Sequence, residues 1–312
     1  MTKTSVSRGL SRWRPAAFFM AVSFVILGVG FVHEHVAQGR FDDVKIEATH
    51  VAGTVHMLTG AGGNMGVSLG DDGVFLVDDQ YGPLAERISA AIGKLGGGAP
   101  SFLLNTHYHG DHTGGNSAFD VTTPIMAHDN VRARLVSGHQ PRNGEPKPAP
   151  ASALPDLTYS DTITLHFNGE KVEVVHYPSG HTDGDSVVFF TGSDVVHMGD
   201  NMFAGTFPFV DLSAGGSVQG LTANVEKILK RVGAETRIIP GHGPLSRRPD
   251  LEAFLGMLQE TTALVKEAMA AGRTVEEIQA AGLPEKWDNW GGGFIKTDVW
   301  LKTIYDSLST AS

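Results

Sequence analysis

The chain has 312 residues, of which 41% are hydrophobic and 19% are charged, a balance typical of globular proteins and unlike disordered, collagen-like or polytopic membrane chains. It contains no cysteine, so disulfides, a cysteine nucleophile and thiolate metal sites are excluded, and any bound metal is held by histidine and carboxylate. The net charge of −10 argues against nucleic acid as a partner, because binding to phosphate backbones needs a basic face.

The N-terminus differs from the rest of the chain. Basic residues from Lys3 to Arg14 precede an apolar run over residues 16–32, and small residues follow as far as Gly39. This order predicts a secretory signal peptide over residues 1–39 and a periplasmic or secreted protein. The alternative is an uncleaved anchor that holds the protein on the membrane, facing the periplasm. The remainder, residues 40–312, is predicted to form one domain.

Short apolar runs separated by glycine indicate antiparallel strands in the first part of this domain, with a hairpin turn at Asp71-Asp72-Gly73. Apolar residues at helical spacing predict a helix from Pro83 to Leu95, and a further helix is expected near Val218–Val232. The predicted strands are Val55–Leu58, Met65–Leu69, Val74–Val77, Phe102–Leu104, Ile163–Phe167, Val172–His176, Val187–Phe190, Val195–His197 and Arg237–Ile239.

Two segments between these elements have unusual compositions. Five prolines between Ser137 and Pro155 predict a loop, which could be a lid or a simple linker. The glycine-rich hairpin Gly60–Gly66 could act as a flap over an apolar ligand. After Pro249 the chain is predicted to be mostly helical.

A dense histidine motif follows the strand that ends at Leu104. It reads His107-Tyr108-His109-Gly110-Asp111-His112. Residues two apart on an extended segment point to the same side, so His107 and His109 can hold one cation. Asp111 and His112 then turn to face a second cation, and the small residues 113–115 allow the tight turn.

This motif, together with Gly180-His181-Thr182, Gly199-Asp200 and Gly241-His242-Gly243, resembles the metallo-β-lactamase superfamily from about Ile46 to Leu245. The resemblance implies a four-layer αββα sandwich of the α/β class, with the metals at the edge between the two sheets. It implies that His107, His109 and His181 bind the first zinc, that Asp111, His112 and His242 bind the second, and that Asp200 bridges them. It assigns Asp78 to ordering the metal-binding loop.

Five histidines and two carboxylates suit zinc, two ions per chain, with iron or manganese as substitutes. Two dications that share a water lower its pKa and generate hydroxide for attack on a polarised carbonyl. Asp111, beside that hydroxide, is expected to be the catalytic residue that orients it and returns a proton to the leaving group.

The resemblance leaves the substrate open between several classes of small molecule. In the best known zinc β-lactamases a cysteine stands at the position of Asp200, and a carboxylate-binding lysine often stands where this chain has Phe203. The departure is similar to glyoxalase II and the lactonases, whereas predicted export favours a β-lactamase. A β-lactamase-like hydrolase of amide or ester-type bonds is therefore expected first, and a thioester or lactone hydrolase without drug activity second. A zinc-binding scaffold without catalysis is a third possibility, weakened because every predicted ligand is present.

Other polar residues are expected to have structural roles. We expect Asp183 and Asp185 to be hydrogen-bond partners within a loop. Phe203, Phe207 and Phe209 belong either to the core or to a loop beside the metals. The histidines expected to lie outside the metal site are His50, His56, His128, His139, His166, His176 and His197. The oligomeric state stays open.

Overall fold

The computed structural model describes residues 39–119, 122–139 and 145–310. The signal peptide or anchor predicted for residues 1–39 lies outside the described residues, apart from Gly39 itself. The residues from Val44 onward group into one unit, and those up to Asp43 group into another, of which residues 39–43 are described as a short turn. Among the described residues there is no helix with both the length and the apolarity needed to cross a membrane.

The first half of the larger unit forms a seven-stranded mixed sheet. Its first four strands are antiparallel, and the last three continue in parallel from the fourth. The hairpin predicted at residues 71–73 joins the third and fourth strands, where Gly70 pairs with Gly73. In spatial order the strands are β1 Glu47–Ala52, β2 Val55–Thr59, β3 Met65–Gly70, β4 Gly73–Val77, β5 Pro100–Leu104, β6 Ile125–His128 and β7 Leu157–Tyr159.

The second half forms a six-stranded sheet. Its spatial order is β13-β12-β11-β10-β9-β8, and every neighbouring pair is antiparallel except β11 with β12. The strands are β8 Thr162–Phe167, β9 Glu170–His176, β10 Ser186–Phe190, β11 Val195–His197, β12 Arg237–Ile239 and β13 Ser246–Arg247.

Helices cover the outer face of each sheet. Helix α5 buries Leu251, Phe254 and Leu258 at helical spacing, which explains why the sequence after Pro249 forms helices that pack on the second sheet. The helices of the described chain are α1 Ala85–Lys94, α2 Gly110–Thr113, α3 Asp129–Ser137, α4 Val218–Leu229, α5 Arg248–Ala270, α6 Val275–Ala281 and α7 Thr297–Thr310.

The core between the sheets is formed by inward-facing residues of both. Phe75 of β4 contacts Phe167 and Phe190 of the second sheet, at ring-centroid distances of 6.1 and 6.2 Å. A second core lies between the six-stranded sheet and helices α4, α5 and α7. The expected four-layer αββα sandwich is confirmed.

Most predicted strands match the structure, several of them to within a residue or two. Four strands were not predicted: β1, which is exposed over its first four residues, the short pair β6 and β7, and the two-residue β13. The short helices α2 and α3 were not predicted either. The predicted loop over residues 137–155 contains one 3-10 turn, Ala151–Ala153, in its described part, and residues 140–144 lie outside the description.

Candidate metal centre

The seven predicted ligands come from five separate places along the chain. His107 and His109 follow the end of β5, and Asp111 and His112 lie on α2. His181 lies between β9 and β10, Asp200 in a 3-10 turn after β11, and His242 after β12. The fold brings these segments together at one edge of the sandwich, where their side chains form two groups of potential metal ligands.

The first group consists of His107, His109, His181 and Asp200, with one donor atom of each within 4.8 Å of the others. Nδ1 of His109 lies 2.8 Å from Nε2 of His181 and 3.1 Å from Nε2 of His107. Nitrogens bound at 2.0–2.1 Å to one tetrahedral zinc would be about 3.4 Å apart. The four side chains therefore converge at a spacing close to that of a metal coordination shell.

The second group consists of Asp111, His112 and His242. Oδ2 of Asp111 lies 3.4 Å from Nε2 of His242 and 3.8 Å from Nε2 of His112. These side chains are less uniformly buried, since Asp111 is 27% exposed and His242 is 31% exposed. The second group is therefore the side of the centre that a substrate can reach.

Asp200 contacts both groups with different oxygens. Its Oδ2 lies 3.3 Å from Nε2 of His181, whereas its Oδ1 lies 3.1 Å from Nε2 of His112 and 3.5 Å from Nε2 of His242. Asp200 therefore lies between the two groups, with one oxygen toward each.

Two buried polar atoms indicate that the centre fits a divalent cation. Nε2 of His112 and Oδ1 of Asp200 are buried and lie 3.1 Å apart, but they form no hydrogen bond with each other or with another described residue. Burying such atoms without a partner costs free energy, and a cation between them would supply the missing interaction. The imidazole and carboxylate donors are a set that suits zinc and similar divalent metals.

The outer nitrogens of His107, His112 and His181 contact polar partners, which leaves their inner nitrogens free for metal. Asp78 takes part in two of these interactions, because its Oδ2 lies 2.8 Å from Nδ1 of His112 and also accepts from the Thr106 hydroxyl. That hydroxyl lies 3.1 Å from Nδ1 of His107, and Nδ1 of His181 donates to the carbonyl of Phe209. Asp78 does not belong to either ligand group, as expected.

Asp211 is a functional residue that the sequence did not indicate. Its Oδ2 lies 3.1 Å from Nε2 of His109 and accepts a 2.5 Å hydrogen bond from the Tyr108 hydroxyl. Hydrogen bonds from His109, Ser213 and Tyr108 outweigh the effect of burial and hold the pKa of Asp211 well below its ordinary value. A single aspartate that lies 102 residues from its partner has no local motif, so only the fold reveals it.

Burial and nearby charges shift the pKa values of several ligand side chains. Burial lowers the pKa of His107 well below its ordinary value and that of His181 to about 4. Burial acts in the opposite direction on Asp200, but the facing rings of His242 and His112 hold the pKa of that carboxyl well below its usual range. These shifts favour neutral imidazoles at His107 and His181 and an ionised carboxylate at Asp200, the forms that bind metal.

The three phenylalanines after Asp200 have different surroundings. Phe203 stacks on His242 with a centroid distance of 4.9 Å, and Phe209 lies 5.6 Å from His109 and 5.8 Å from His181. Phe207 is buried in the core, stacked on Trp300 at 5.7 Å. Two of the rings therefore line the metal centre, and the third supports their loop from behind.

The glycine hairpin after β2 is fixed against the centre instead of lying open as a flap. The amide of Gly63 donates to the carbonyl of Asp111, and the side chain of Gln80 donates to the carbonyl of Gly63. The amide of Asn64 donates to the carbonyl of Gly241. A Cβ atom at Gly63 would lie 2.1 Å from Cε1 of His112, so glycine is required where the hairpin crosses this ring.

The residues expected to lie outside the metal site do so. The seven other histidines named above belong to neither ligand group, and His197 is buried with its Nε2 donating to the carbonyl of Asn64. Asp183 pairs with Arg134, and Asp185 accepts from Thr182, so both serve as hydrogen-bond partners near the loop.

The αββα fold with this donor cluster at its sheet edge is that of the metal-dependent hydrolases. A family model described as the metallo-beta-lactamase superfamily matches residues 58–242, and the chain belongs to that superfamily. This is a superfamily of metallo-hydrolases.

Relatives of known name fall into two kinds. Hydroxyacylglutathione hydrolase of Nitrosococcus oceani is 30% identical over 190 residues, which cover 57% of this chain and 65% of the relative. Metallo-beta-lactamase type 2 of Bacillus cereus is 26% identical over 195 residues, which cover 62% of this chain and 69% of that protein. The chain thus spans about two thirds of the length of these relatives.

Solved structures share the fold at low sequence identity. The metallo-beta-lactamase from Pontibacter korlensis has a TM-score of 0.56 and 19% identity, and the match covers 69% of this chain and 99% of that one. The inverting sec-alkylsulfatase Pisa1 from Pseudomonas sp. has a TM-score of 0.63 and 16% identity, and the match covers 84% of this chain and 50% of that one.

Proposed function

We propose that the protein is a dinuclear metal hydrolase, with zinc as its metal, that cleaves ester-type acyl bonds in small thioesters or lactones. The observation that carries the proposal is the position of Asp200, whose two oxygens face different ligand groups. When bound, divalent cations would lower the pKa of a water molecule and polarise the carbonyl that it attacks.

Different residues of the chain would bind the metals, transfer the proton and contact the substrate. The histidines of the first group and Asp200 are buried and hold position, whereas Asp111 is partly exposed and can reach a substrate. Its carboxylate can accept a proton from the attacking water and return it to the leaving sulfur or oxygen of the substrate. Phe203 and Phe209 offer apolar surface beside the reacting carbonyl.

Phe203 favours an ester-type substrate over a β-lactam, which reverses the order expected from the sequence. The ring is 8% exposed and stacked on His242, so apolar surface stands where a carboxylate-binding lysine would be needed. A charge-assisted contact of about 1.5–3 kcal/mol is then missing for the β-lactam carboxylate. Because the missing contact weakens substrate binding in the ground state, it raises the KM for a β-lactam about ten- to a hundredfold and changes kcat less.

β-Lactam hydrolysis is the second candidate, supported by the 26% identity to the Bacillus cereus enzyme. Several relatives with 28–30% identity carry the name hydroxyacylglutathione hydrolase, which supports a thioester as the substrate. We also propose a location outside the cytoplasm, on the basis of the signal-like residues 1–39. An anchor there would place the centre at the membrane surface.

The test is steady-state kinetics of the zinc-loaded full chain on a thioester, a matched lactone series and a chromogenic cephalosporin. We expect measurable kcat/KM for thioester or lactone and a cephalosporin KM at least tenfold higher, with Asp200→Ala inactive as the control. A micromolar KM for the cephalosporin would move the function to β-lactam hydrolysis. Failure of every substrate class in a metal-loaded chain would reject the proposal.

A further inference from the structure

The carboxylate of Asp211 divides its two oxygens between different tasks. Oδ1 accepts from the amide and hydroxyl of Ser213, at 3.1 and 2.6 Å, and from the amide of Ala214 at 3.2 Å. Oδ2 accepts from the hydroxyl of Tyr108 and lies 3.1 Å from Nε2 of His109. The side chain is 2% exposed, so water does not compete for these contacts. One oxygen caps a turn, and the other faces a metal ligand.

Only one tautomer of His109 suits this arrangement. Both oxygens of Asp211 already accept hydrogen bonds, from Tyr108 at Oδ2 and from Ser213 and Ala214 at Oδ1, so the group faces His109 as an acceptor and Nε2 of His109 carries the proton. Nδ1 is then unprotonated, and it is the atom that lies within 3.1 Å of Nε2 of both His107 and His181. A second-sphere carboxylate is known to fix the tautomer and ring orientation of a metal-binding histidine.

We propose that Asp211 is the positioning residue that selects Nδ1 of His109 as its metal-binding atom. The inference rests on the metal centre of the proposed function, but not on the identity of its substrate. The outer nitrogens of His107 and His181 have a hydroxyl and a carbonyl as partners, so among the described residues Asp211 is the only carboxylate that contacts an outer nitrogen of a first-group histidine. His109 should therefore be the ligand of the first group whose metal binding depends most on a charged neighbour.

Residues next to Asp211 in the chain also position a histidine of the first group. The carbonyl of Phe209 holds Nδ1 of His181, and the amide of Asp211 donates to the carbonyl of His181 at 2.9 Å. Residues 209–211 thus position two of the three histidines in the first group. A substitution at Asp211 should be felt mainly at this group, because His112 depends on Asp78 instead.

The test compares Asp211→Asn with two matched variants in the full chain. The asparagine can keep an oxygen toward Ser213 and Ala214, but it turns an N–H donor toward His109 in place of an acceptor. Ser213→Ala removes one contact to Oδ1 and leaves His109 untouched. Tyr108→Phe removes the other donor to Oδ2 and leaves the acceptor in place. Zinc affinity is measured by competition with a chromophoric chelator, and thermal stability is measured on metal-free protein.

We expect Asp211→Asn to weaken zinc binding at the first group by about 10- to 100-fold, the usual range for a lost second-sphere partner. Ser213→Ala and Tyr108→Phe should bind zinc within about threefold of wild type, and visible spectra of cobalt-loaded protein should change only for Asp211→Asn. Wild-type zinc affinity in Asp211→Asn, with a stability loss like that of Ser213→Ala, would overturn the proposal and leave Asp211 as a turn cap.

A measurement on the unaltered chain keeps the proposal testable if Asp211→Asn fails to fold. Long-range ¹H–¹⁵N NMR on zinc-loaded wild type should show His109 protonated at Nε2, and protonation at Nδ1 would overturn the proposal. These readouts do not need turnover. A chain that binds zinc through Nδ1 of His109 but cleaves no substrate would reject the proposed function alone.

Discussion

The imidazole rings of His128 and His176 stack face to face, with their centroids 3.7 Å apart and their planes inclined by 14°. His128 ends β6 of the first sheet and His176 ends β9 of the second, so the pair joins the two sheets. Nε2 of His128 lies 2.9 Å from the carbonyl of Ser160, and Nδ1 of His176 lies 2.8 Å from that of Asp185. Two rings this close repel each other if both are charged.

We expect this pair to make the fold sensitive to mild acid. Burial lowers the pKa of His176, and His128 acts in the same direction, while Asp161 and Asp183 act against it. The folded chain therefore binds fewer protons here than the unfolded chain. The stabilisation is present above about pH 6.5 and is lost as the pH falls below it.

Urea unfolding at pH 7.5, 6.5 and 5.5 measures this effect. His176→Phe should reduce the fall in stability with acid, by at most one proton's worth, about 1.4 kcal/mol per pH unit. His166→Gln, which replaces an exposed histidine on β8, is the control and should keep the wild-type slope. An unchanged slope in His176→Phe would assign the acid sensitivity to other groups.

Asp111→Asn should lower turnover about 10²-fold or more while both metals stay bound. An amide oxygen can still approach a cation, but it cannot accept and return a proton. Metal analysis of the purified variant and kcat on the best substrate check the two parts separately. Near-normal kcat in a fully loaded variant would reduce Asp111 to a ligand.

Asp78→Asn should show the opposite pattern, with weaker metal retention and stability but similar turnover per bound metal. The carboxylate accepts from the amide and hydroxyl of Thr106 and contacts His112, so the amide would leave at least one buried donor unmatched, at about 1–3 kcal/mol. Asparagine tolerates the left-handed φ of 60° at this position, so backbone strain would not account for the loss of stability or metal retention.

Asp79→Asn is the matched control for that variant. Burial raises the pKa of Asp79 well above its ordinary value, and its Oδ1 accepts from the amide of Gly115, a bond that an asparagine oxygen can keep, so the amide should replace it at smaller cost than at Asp78. Chelator competition and thermal melting apply to both variants. Equal losses in the two would indicate a general effect of substitution beside β4, and not a specific role for Asp78.

Gly63→Ala should displace His112 and weaken metal binding at the second group. The new methyl would overlap the imidazole ring, and relief by shifts of ring or hairpin typically costs about 1–3 kcal/mol. Gly110→Ala lies between two ligands in sequence but adds a methyl with no atom within 4 Å, so it should bind metal normally. Comparable behaviour of the two variants in metal analysis would contradict the close packing of the hairpin.

Metal analysis of gently purified wild type should return close to two zinc equivalents per chain, since the ligands divide into two groups that share Asp200. Removal by a strong chelator should abolish turnover, and zinc should restore it. One equivalent with full activity would remove Asp200 as a bridge and favour a mononuclear mechanism.

The parts of the site that the sequence predicts are those with local patterns. His107, His109, Asp111 and His112 lie within six residues, so their joint function is visible without a structure. His181 and His242 were identified because each follows a glycine near the end of a strand. The alternating apolar residues of β3 and β4 with their glycine turn were equally informative.

Other features depend on contacts between distant parts of the chain. β1 is exposed over four of its six residues, three of them polar, and it forms because it pairs with β2. Asp211 contacts His109 only after the second half of the chain has packed against the first, and Phe209 contacts His181 across 28 residues of the second half. The core position of Phe207 likewise depends on Trp300, which lies 93 residues further along the chain.

The contacts of Phe207 with the C-terminal part of the chain limit how far the chain can be shortened. Its amide donates to the carbonyl of Trp290 and its ring stacks on Trp300, both of which lie after the last ligand, His242. A stop codon placed soon after His242 would keep all seven ligands and remove the surface that holds residues 207–211 against them. A shortened version of this protein should therefore retain the chain through α7. The residues after His242 do not belong to the ligand groups, but they hold in place the loop that contacts His109 and His181.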